Sequence, residues 1–246
     1  MVDMQTSPPL IRTEDGSFSL YCTEVGECYH SRSGAKSEAQ SLYVEASGIA
    51  ARWHQPTPIS VLDVGLGLGY NALCAIESWM ADPAATASLH LTSFEKNAAL
   101  FKPLRTAQGT WQTNWPENWR RWVHALSPIF CEGEVWRAEI SHPSQPSMCR
   151  WTCVIGDIRE TLAAHVPATG WELIWYDPFS AKKAPELWIE AWLTQLRRVT
   201  APTATLVTYS VARGVREAFS AAGWSWEKVP TNTGKRAWLR VTNATN

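Results

Sequence analysis

The sequence predicts an α/β chain built on a mostly parallel, doubly wound sheet, with a C-terminal antiparallel hairpin and a small N-terminal β-hairpin and helix in front. Three observations predict it. First, the apolar stretch Ile59 to Val64 runs into Gly65-Leu66-Gly67-Leu68-Gly69 and then into a helical pattern from Tyr70. A strand, a Gly-rich turn and a helix form the nucleotide-binding corner of an α/β sheet, with the first N–H groups of the helix facing the ligand. Second, strand-like and helix-like segments alternate from this corner to Gly223. Third, Trp224 to Val229 and Arg236 to Val241 alternate as strands around Thr231-Asn232-Thr233-Gly234. The expected division is an elaboration over residues 1–55 and a main domain over 56–246.

Each element has a local reason. Ser17 to Thr23 and Glu27 to Ser31 read as short strands around Val25-Gly26, and Gly34 to Gly48 as a helix with Ala39, Leu42 and Ala46 on one face. Together they are expected to wall or cover the glycine corner. Pro56 and Pro58 lead into the first core strand, Ile59 to Val64, and Tyr70 to Met80 is the first core helix. Leu89 to Phe94 is the second strand and ends in Glu95. Asn97 to Leu126 reads as helix interrupted near Pro103 and Pro116. Trp111, Trp115, Trp119 and Trp122 recur at helical spacing there; such a stripe can stack bases, but in a chain with 15 tryptophans core packing is the preferred reading.

Val135 to Ile140 and Arg150 to Ile155 alternate as strands, with a Pro/Ser-rich loop between them. Asp157 is a suitable N-cap for a helix to His165. Trp171 to Tyr176 is an apolar strand ending in Asp177-Pro178-Phe179, at the strand end where α/β proteins bind ligands. Pro185 is expected to open a helix to Arg198, with Leu187, Trp188, Ala191, Trp192 and Leu196 facing the core. Thr203 to Ser210 is a strand, and Val211 to Ala222 a helix stopped by Gly223.

Composition narrows the function classes. A chain of 246 residues with 45% hydrophobic content forms a sizeable core. No apolar run reaches the roughly 18 residues of a membrane span, and no signal sequence is visible, so the expected compartment is cytoplasmic. The six cysteines form no C-x-x-C pair, so reduced thiols and no metal are expected. The net charge is −1, divided into +6 from Arg197 onward (eight basic residues, two acidic) and −7 before it. A basic end on an acidic body is compatible with docking a phosphate backbone, and equally with a solvated basic surface.

The corner itself discriminates among ligands. The dinucleotide fingerprint G-x-G-x-x-G would need a small residue where Tyr70 stands, which disfavours a nicotinamide oxidoreductase. No Lys-Ser/Thr follows the glycines, which excludes a P-loop. Asp63 two residues before Gly65-x-Gly67-x-Gly69 resembles motif I of S-adenosylmethionine (SAM)-dependent methyltransferases. In that reading Asp63 attracts the cationic methionine end and the glycines clear its path. Glu95, at the end of the next strand, is placed for ribose hydroxyls or as a neighbour of a helix cap. Asp157 is placed for the adenine amino group or as the cap, and the two roles are compatible. The Asp177-Pro178-Phe179 run looks like the D-P-P-Y loop of methyltransferases acting on amino nitrogens.

From Gly26 to Val241 the chain resembles the methyltransferase domain of the bacterial tRNA 5-methylaminomethyl-2-thiouridine biosynthesis protein. The residues that carry the resemblance are Tyr29-His30-Ser31 with Gly34-Ala35 and Glu38, the glycine corner, Ser93-Phe94-Glu95-Lys96, Gly156-Asp157-Ile158 and the run Tyr176 to Trp188. The resemblance implies a Rossmann-like fold and a SAM site made by Tyr29, Ser31, Glu38, Asp63, Gly65, Gly67, Gly69, Glu95, Lys96, Asp157, Ile158 and Asp177. It implies a reacting amine held by Asp177 and flanked by Phe179, and tRNA contacts through Lys182, Lys183, Arg213, Arg216, Lys235 and Arg236. In bifunctional members a flavin-dependent oxidase domain follows; this chain ends at Asn246, so a stand-alone enzyme with SAM, no flavin and no metal is expected. The implied reaction is methylation of the amino group of 5-aminomethyluridine at the tRNA wobble position, with no membrane partner. Another amine acceptor, such as a small metabolite or a protein, and a non-catalytic SAM-binding role are the alternatives.

Overall fold

The computed structural model describes residues 8–129, 134–231 and 237–243. The N-terminal part holds a three-stranded antiparallel sheet of β1 (Leu10–Arg12), β2 (Phe18–Cys22) and β3 (Glu27–Cys28). The β2–β3 hairpin is the expected one, and β1 adds a strand the sequence reading lacked. Helix α1 (Ala35–Glu38) continues as a π-helical stretch to Ala46, so the helix expected over 34–48 forms with a wider second half. Gly48 ends it in the left-handed conformation.

Among the described residues the main sheet has nine strands. Its centre is five parallel strands: β8 (Met148–Ile155), β5 (Leu89–Glu95), β4 (Ile59–Val64), β9 (Trp171–Tyr176) and β10 (Thr200–Thr208). Beyond β10, β12 (Ala237–Thr242) and β11 (Ser225–Pro230) form the expected antiparallel pair. Beyond β8, β7 (Glu134–Ser141) and β6 (Ser127–Pro128) add a second antiparallel edge. The sheet is therefore more mixed than the sequence predicts. The His142–Ser147 loop is a hairpin turn pairing β7 with β8, a contact that the alternation of either strand alone does not specify.

Strand alternation sorts the core. Val61, Leu91, Leu173 and Trp175 face α2 (Tyr70–Ala81), α3 (Ala98–Arg105) and α4 (Glu117–His124). Leu62, Val64, Ile174 and Tyr176 face α5 (Ile158–Thr161), α6 (Glu190–Arg198) and α7 (Arg213–Ala221). All four tryptophans of the stripe are buried, and Trp115 and Trp119 pack edge-on against Tyr70. The stripe is core, not a base-stacking surface. Tyr70 anchors it to the N-terminal sheet, its hydroxyl donating to the Phe18 carbonyl at 2.9 Å.

Two helix expectations shift. Pro103 lies inside α3, which ends only at Arg105; it is the sixth residue of this eight-residue helix, so the interruption expected at Pro103 falls at the helix end instead. Pro185 opens a single 3-10 turn to Leu187, and α6 starts afresh at Glu190. The break resets the helical phase. Trp188, Trp192 and Leu196 are buried as expected, but Ala191 is exposed and Leu193 takes the inner position. Among the described residues no helix is long and apolar enough to cross a membrane.

Candidate active site

The sheet order places β4 between β5 and β9, which run out on opposite sides of it. Ligands bind α/β sheets at such a switch point, outside the carboxyl ends of the strands. Here that position opens into a cavity of about 930 Å³. Its floor is supplied by Gly65 and Gly67 after β4, Glu95 to Asn97 after β5, Gly156 to Ile158 after β8, Asp177 to Ser180 after β9, and Tyr209 after β10. The β2–β3 hairpin and its continuation, including Cys22, Glu27, Tyr29 and Ser31, form the opposite wall with Glu38.

The glycines are needed for two different reasons. Gly65, Gly67 and Gly69 all have positive φ, at +90°, +52° and +86°, where a Cβ is disfavoured. At Gly65 a Cβ would also stand 2.7 Å from the Asp177 carbonyl oxygen, so this glycine clears the path of the protein's own chain. At Gly67 a Cβ would approach the Tyr29 ring at 3.5 Å, narrowing the cavity. Gly69 is the N-cap of α2 under Leu104 and is not on the wall.

Glu95 holds the corner in shape. Its Oε2 accepts from the Gly67 N–H at 2.8 Å and its Oε1 from the Asn97 N–H at 2.7 Å. Burial pushes its pKa up while these backbone donors pull it down. Each carboxylate oxygen accepts more than one bond, so both retain capacity for a pair of ligand hydroxyls. Asp157 accepts from the Arg159 N–H at 3.0 Å, so the cap is made. Its carboxylate also takes the Arg159 guanidinium at 2.6 Å and Lys96 Nζ at 3.1 Å. The Arg159 bond chiefly holds its pKa well below the ordinary carboxylate range. Lys96 and Ile158 lie on the same wall.

The loop after β9 is clamped along its backbone. The Asp177 N–H donates to the Val64 carbonyl at 3.0 Å. Tyr209 Oη donates to the Pro178 carbonyl at 3.0 Å, and Trp188 Nε1 to the Phe179 carbonyl at 2.8 Å. Glu27, across the cavity, accepts from both the N–H and the hydroxyl of Ser180. The Phe179 ring meets Tyr29 at 5.1 Å between centroids. The N-terminal hairpin is thus tied to the loop that carries Asp177.

Asp63 does not reach this cavity. Alternation along β4 turns it toward α2, where it is 0% exposed. Its Oδ2 accepts from Ser93 Oγ at 2.7 Å, and burial raises its pKa to about 7. Asp63 is therefore not among the residues that line the cavity, where the sequence reading expected it at the methionine end. The expected RNA contacts are dispersed. Lys183 reaches the cavity wall, while Lys182 is exposed beside it. Arg213 pairs with Glu217 at 2.7 Å, and Arg216 lies over Trp226 at 5.0 Å. Lys235 and Arg236 lie outside the described residues. Sequence reasoning missed Glu27, Asn97 and Tyr209, none of which carries a motif of its own; Asn97 alone has a local signal, as the N-cap of α3.

The fold and this corner are similar to those of SAM-dependent methyltransferases. A family model described as S-adenosyl-L-methionine-dependent methyltransferase matches residues 133–244. The tRNA 5-methylaminomethyl-2-thiouridine biosynthesis bifunctional protein MnmC of Aromatoleum aromaticum is 33% identical over 234 residues, covering 93% of this chain and 34% of that protein. Its counterpart in Azoarcus sp. is 32% identical over 245 residues, covering 96% and 35%. The crystal structure of MnmC2 from Aquifex aeolicus superposes with a TM-score of 0.73 at 23% identity, covering 99% of this chain and 72% of that one. Nearly the whole chain is thus similar to a part of this biosynthesis protein. It spans about a third of the length of the curated relatives it matches.

Proposed function

We propose that this chain transfers a methyl group from SAM to the amino group of 5-aminomethyluridine, or its 2-thio form, at the wobble position of tRNA. The observation that carries this reading is the clamped Asp177-Pro178-Phe179 loop on the wall of a cavity whose other end is built by Glu95 and the glycine corner. At about 930 Å³ the cavity lies near the top of the roughly 300–1,000 Å³ range of ligand sites, room for a cofactor and an acceptor group together. The relatives named above are tRNA biosynthesis proteins, which supports the same acceptor.

SAM, when bound, supplies an electrophilic methyl group on a sulfonium. Glu95 is assigned to the ribose hydroxyls, Ile158 and Asp157 to the adenine, and Tyr29, Ser31, Glu38 and Lys96 to the remaining wall around the cofactor. An alkylamine has a pKa near that of lysine, about 10.4, so presenting it neutral at pH 7 costs roughly 4–5 kcal/mol. Desolvation in the cavity favours the neutral form. Asp177 accepts the amine N–H, aims the nitrogen lone pair and is placed to carry off the proton, and Phe179 flanks the acceptor. Most of the rate enhancement then comes from positioning. Lys182, Lys183 and the first turn of α7, with Arg213 and Arg216, are assigned to the tRNA backbone. In this reading residues 1–55 act as a wall over a methyltransferase domain of 56–246.

The test uses labelled SAM with tRNA whose wobble uridines stop at aminomethyl, and Asp177→Asn beside the wild type. The expected result is label in 5-methylaminomethyluridine, with turnover in the variant reduced far more than SAM affinity. SAM binding without transfer to tRNA refutes the acceptor, and equal loss of turnover and affinity refutes the role of Asp177. One observation also favours a free amine as acceptor. Among the described residues the wall carries seven carboxylates (Glu24, Glu27, Glu38, Glu95, Asp157, Asp177, Glu186) against three cations (Lys96, Arg159, Lys183), which suits an ammonium group. Transfer insensitive to RNase and to salt identifies that case, because phosphate contacts weaken as salt rises.

A further inference from the structure

The basic C-terminal end holds a second cavity that the proposed reaction does not use. It encloses about 420 Å³ and is lined by Thr194, Arg197, Arg198, Thr200, Pro202 and Asn243. Thr194, Arg197 and Arg198 stand at i, i+3 and i+4 on α6, so they share one face of its last turns. Thr200 opens β10, and its hydroxyl donates to the Arg197 carbonyl at 2.8 Å. Asn243 follows β12 and is pinned by its amide, which donates to Thr200 Oγ1 at 3.1 Å and to the Ala201 carbonyl at 3.0 Å. The pairing of β10 with β9 skips from Thr200 to Thr205, and Pro202 lies in that gap with no N–H to offer. Three elements therefore meet where the ladder is interrupted.

The charge in this cavity is uncompensated. None of the six lining residues is acidic, and among the described residues neither arginine pairs with a carboxylate. Arg197 is held in place, its guanidinium lying against Gly223, where an added Cβ would stand 3.2 Å from Nη1. Its Nε is sealed from solvent and has no acceptor. The dipole of α6 favours arginines in its last turn, but it gives that N–H no acceptor. A water molecule there would accept the bond without balancing two positive charges. A buried donor on a charged group is costly when unpaired, and guanidinium forks match the oxygens of a phosphate group.

We propose that this cavity is an anion site that takes a phosphate group, either free phosphate or a phosphate of an RNA backbone. Arg197 and Arg198 supply the charge, and the Thr194 hydroxyl is a further donor. The length of β10 separates this site from the active site. Thr200 begins that strand, and Tyr209, just past its end, lines the active-site cavity; at about 3.3 Å per residue the two sites lie roughly 30 Å apart. A phosphate here does not compete with SAM, and the proposal holds whichever amine accepts the methyl group.

The test is thermal unfolding of the full chain in inorganic phosphate, against chloride and acetate at equal ionic strength, for wild type, Arg197→Ala, Arg197→Lys and Arg198→Ala. With a Kd of about 1 mM, phosphate at about 10 mM should raise Tm by about 3–6 °C. Each variant is read against its own Tm without phosphate. The shift should vanish in Arg197→Ala and fall by about half or more in Arg198→Ala, while Arg197→Lys keeps part of it, because the charge stays but the fork is lost. Binding of tRNA at varied salt separates the two sources. A slope of log K against log salt that drops by about 1 in Arg197→Ala assigns the site to the RNA backbone. An unchanged slope beside a phosphate-specific shift assigns it to free phosphate. A phosphate shift that survives in both alanine variants overturns the proposal, and so does the absence of any phosphate-specific shift together with an unchanged slope. If Arg197→Ala does not fold, Arg198→Ala decides by the same two readings.

Discussion

Replacing Gly65 by alanine tests how the glycine corner and the Asp177 loop depend on each other. The backbone at Gly65 has φ of +90°, and an added Cβ would stand 2.7 Å from the Asp177 carbonyl oxygen and 3.1 Å from its carbon. The first effect is conformational: a left-handed alanine costs about 1–2 kcal/mol. Gly48 isolates that effect, because it has φ of +72° and nothing within 4 Å of its added Cβ. For a chain of this size each kcal/mol lowers Tm by about 2–4 °C, so Gly48→Ala should lose about 2–8 °C with activity intact. Gly65→Ala should lose more, because Asp177 must retreat by about 0.7 Å, from 2.7 Å to the 3.4 Å where ordinary van der Waals contact begins. Misplacing a reacting group by about 1 Å costs on the order of a hundredfold in rate, so kcat should fall by about tenfold or more. Thermal unfolding and single-turnover methyl transfer measure the two parts. A Gly65→Ala enzyme with full kcat and a Tm no lower than that of Gly48→Ala refutes the reasoning.

Other expectations follow from the same geometry. Asp63 has its pKa raised from 3.8 to about 7, so the native state keeps a proton that the unfolded chain releases. Its stabilising contribution is full below pH 3.8, declines between pH 3.8 and about 7 and is gone above, a span of about 4 kcal/mol. Denaturant unfolding of wild type relative to Asp63→Asn should fall over that window, and a pH-independent difference counts against it. Glu95→Gln leaves one of the two backbone donors facing an amide, and SAM Kd should rise by about 10–100-fold; calorimetry showing unchanged affinity rejects the assignment of Glu95. Lys182→Ala with Lys183→Ala should reduce the slope of log K for tRNA against log salt by about 1–2, and an unaltered slope removes both lysines from the RNA surface.

Local chemistry determined much of this protein. Strands β4 and β9 begin and end at the residues the sequence predicts, because each is a short apolar run with a turn signal at both ends. The alternating glycines announced the corner, since only glycine takes three positive φ values in five residues without strain. Glu95 and Asp177 were legible because they end core strands, and strand ends of one parallel sheet converge. The sequence also contained the reason why Asp63 turns away from the cavity. Val61 and Asp63 share one strand face while Leu62 and Val64 share the other, but which face meets α2 is set only when the sheet is covered.

The tertiary structure decided the rest, and in each case the reason is a contact distant in sequence. The β7–β8 pairing depends on register between strands, not on either strand's pattern. The phase of α6 depends on a break at Trp188–Ile189, placed where Trp188 reaches back to bond the Phe179 carbonyl. Glu27 meets Ser180 across 153 positions, and Asn71 meets Asp177 across 106. Motif spacing names residues that share a turn. It does not name a partner brought by another element, because that meeting is fixed by packing, and packing is a property of the whole folded chain.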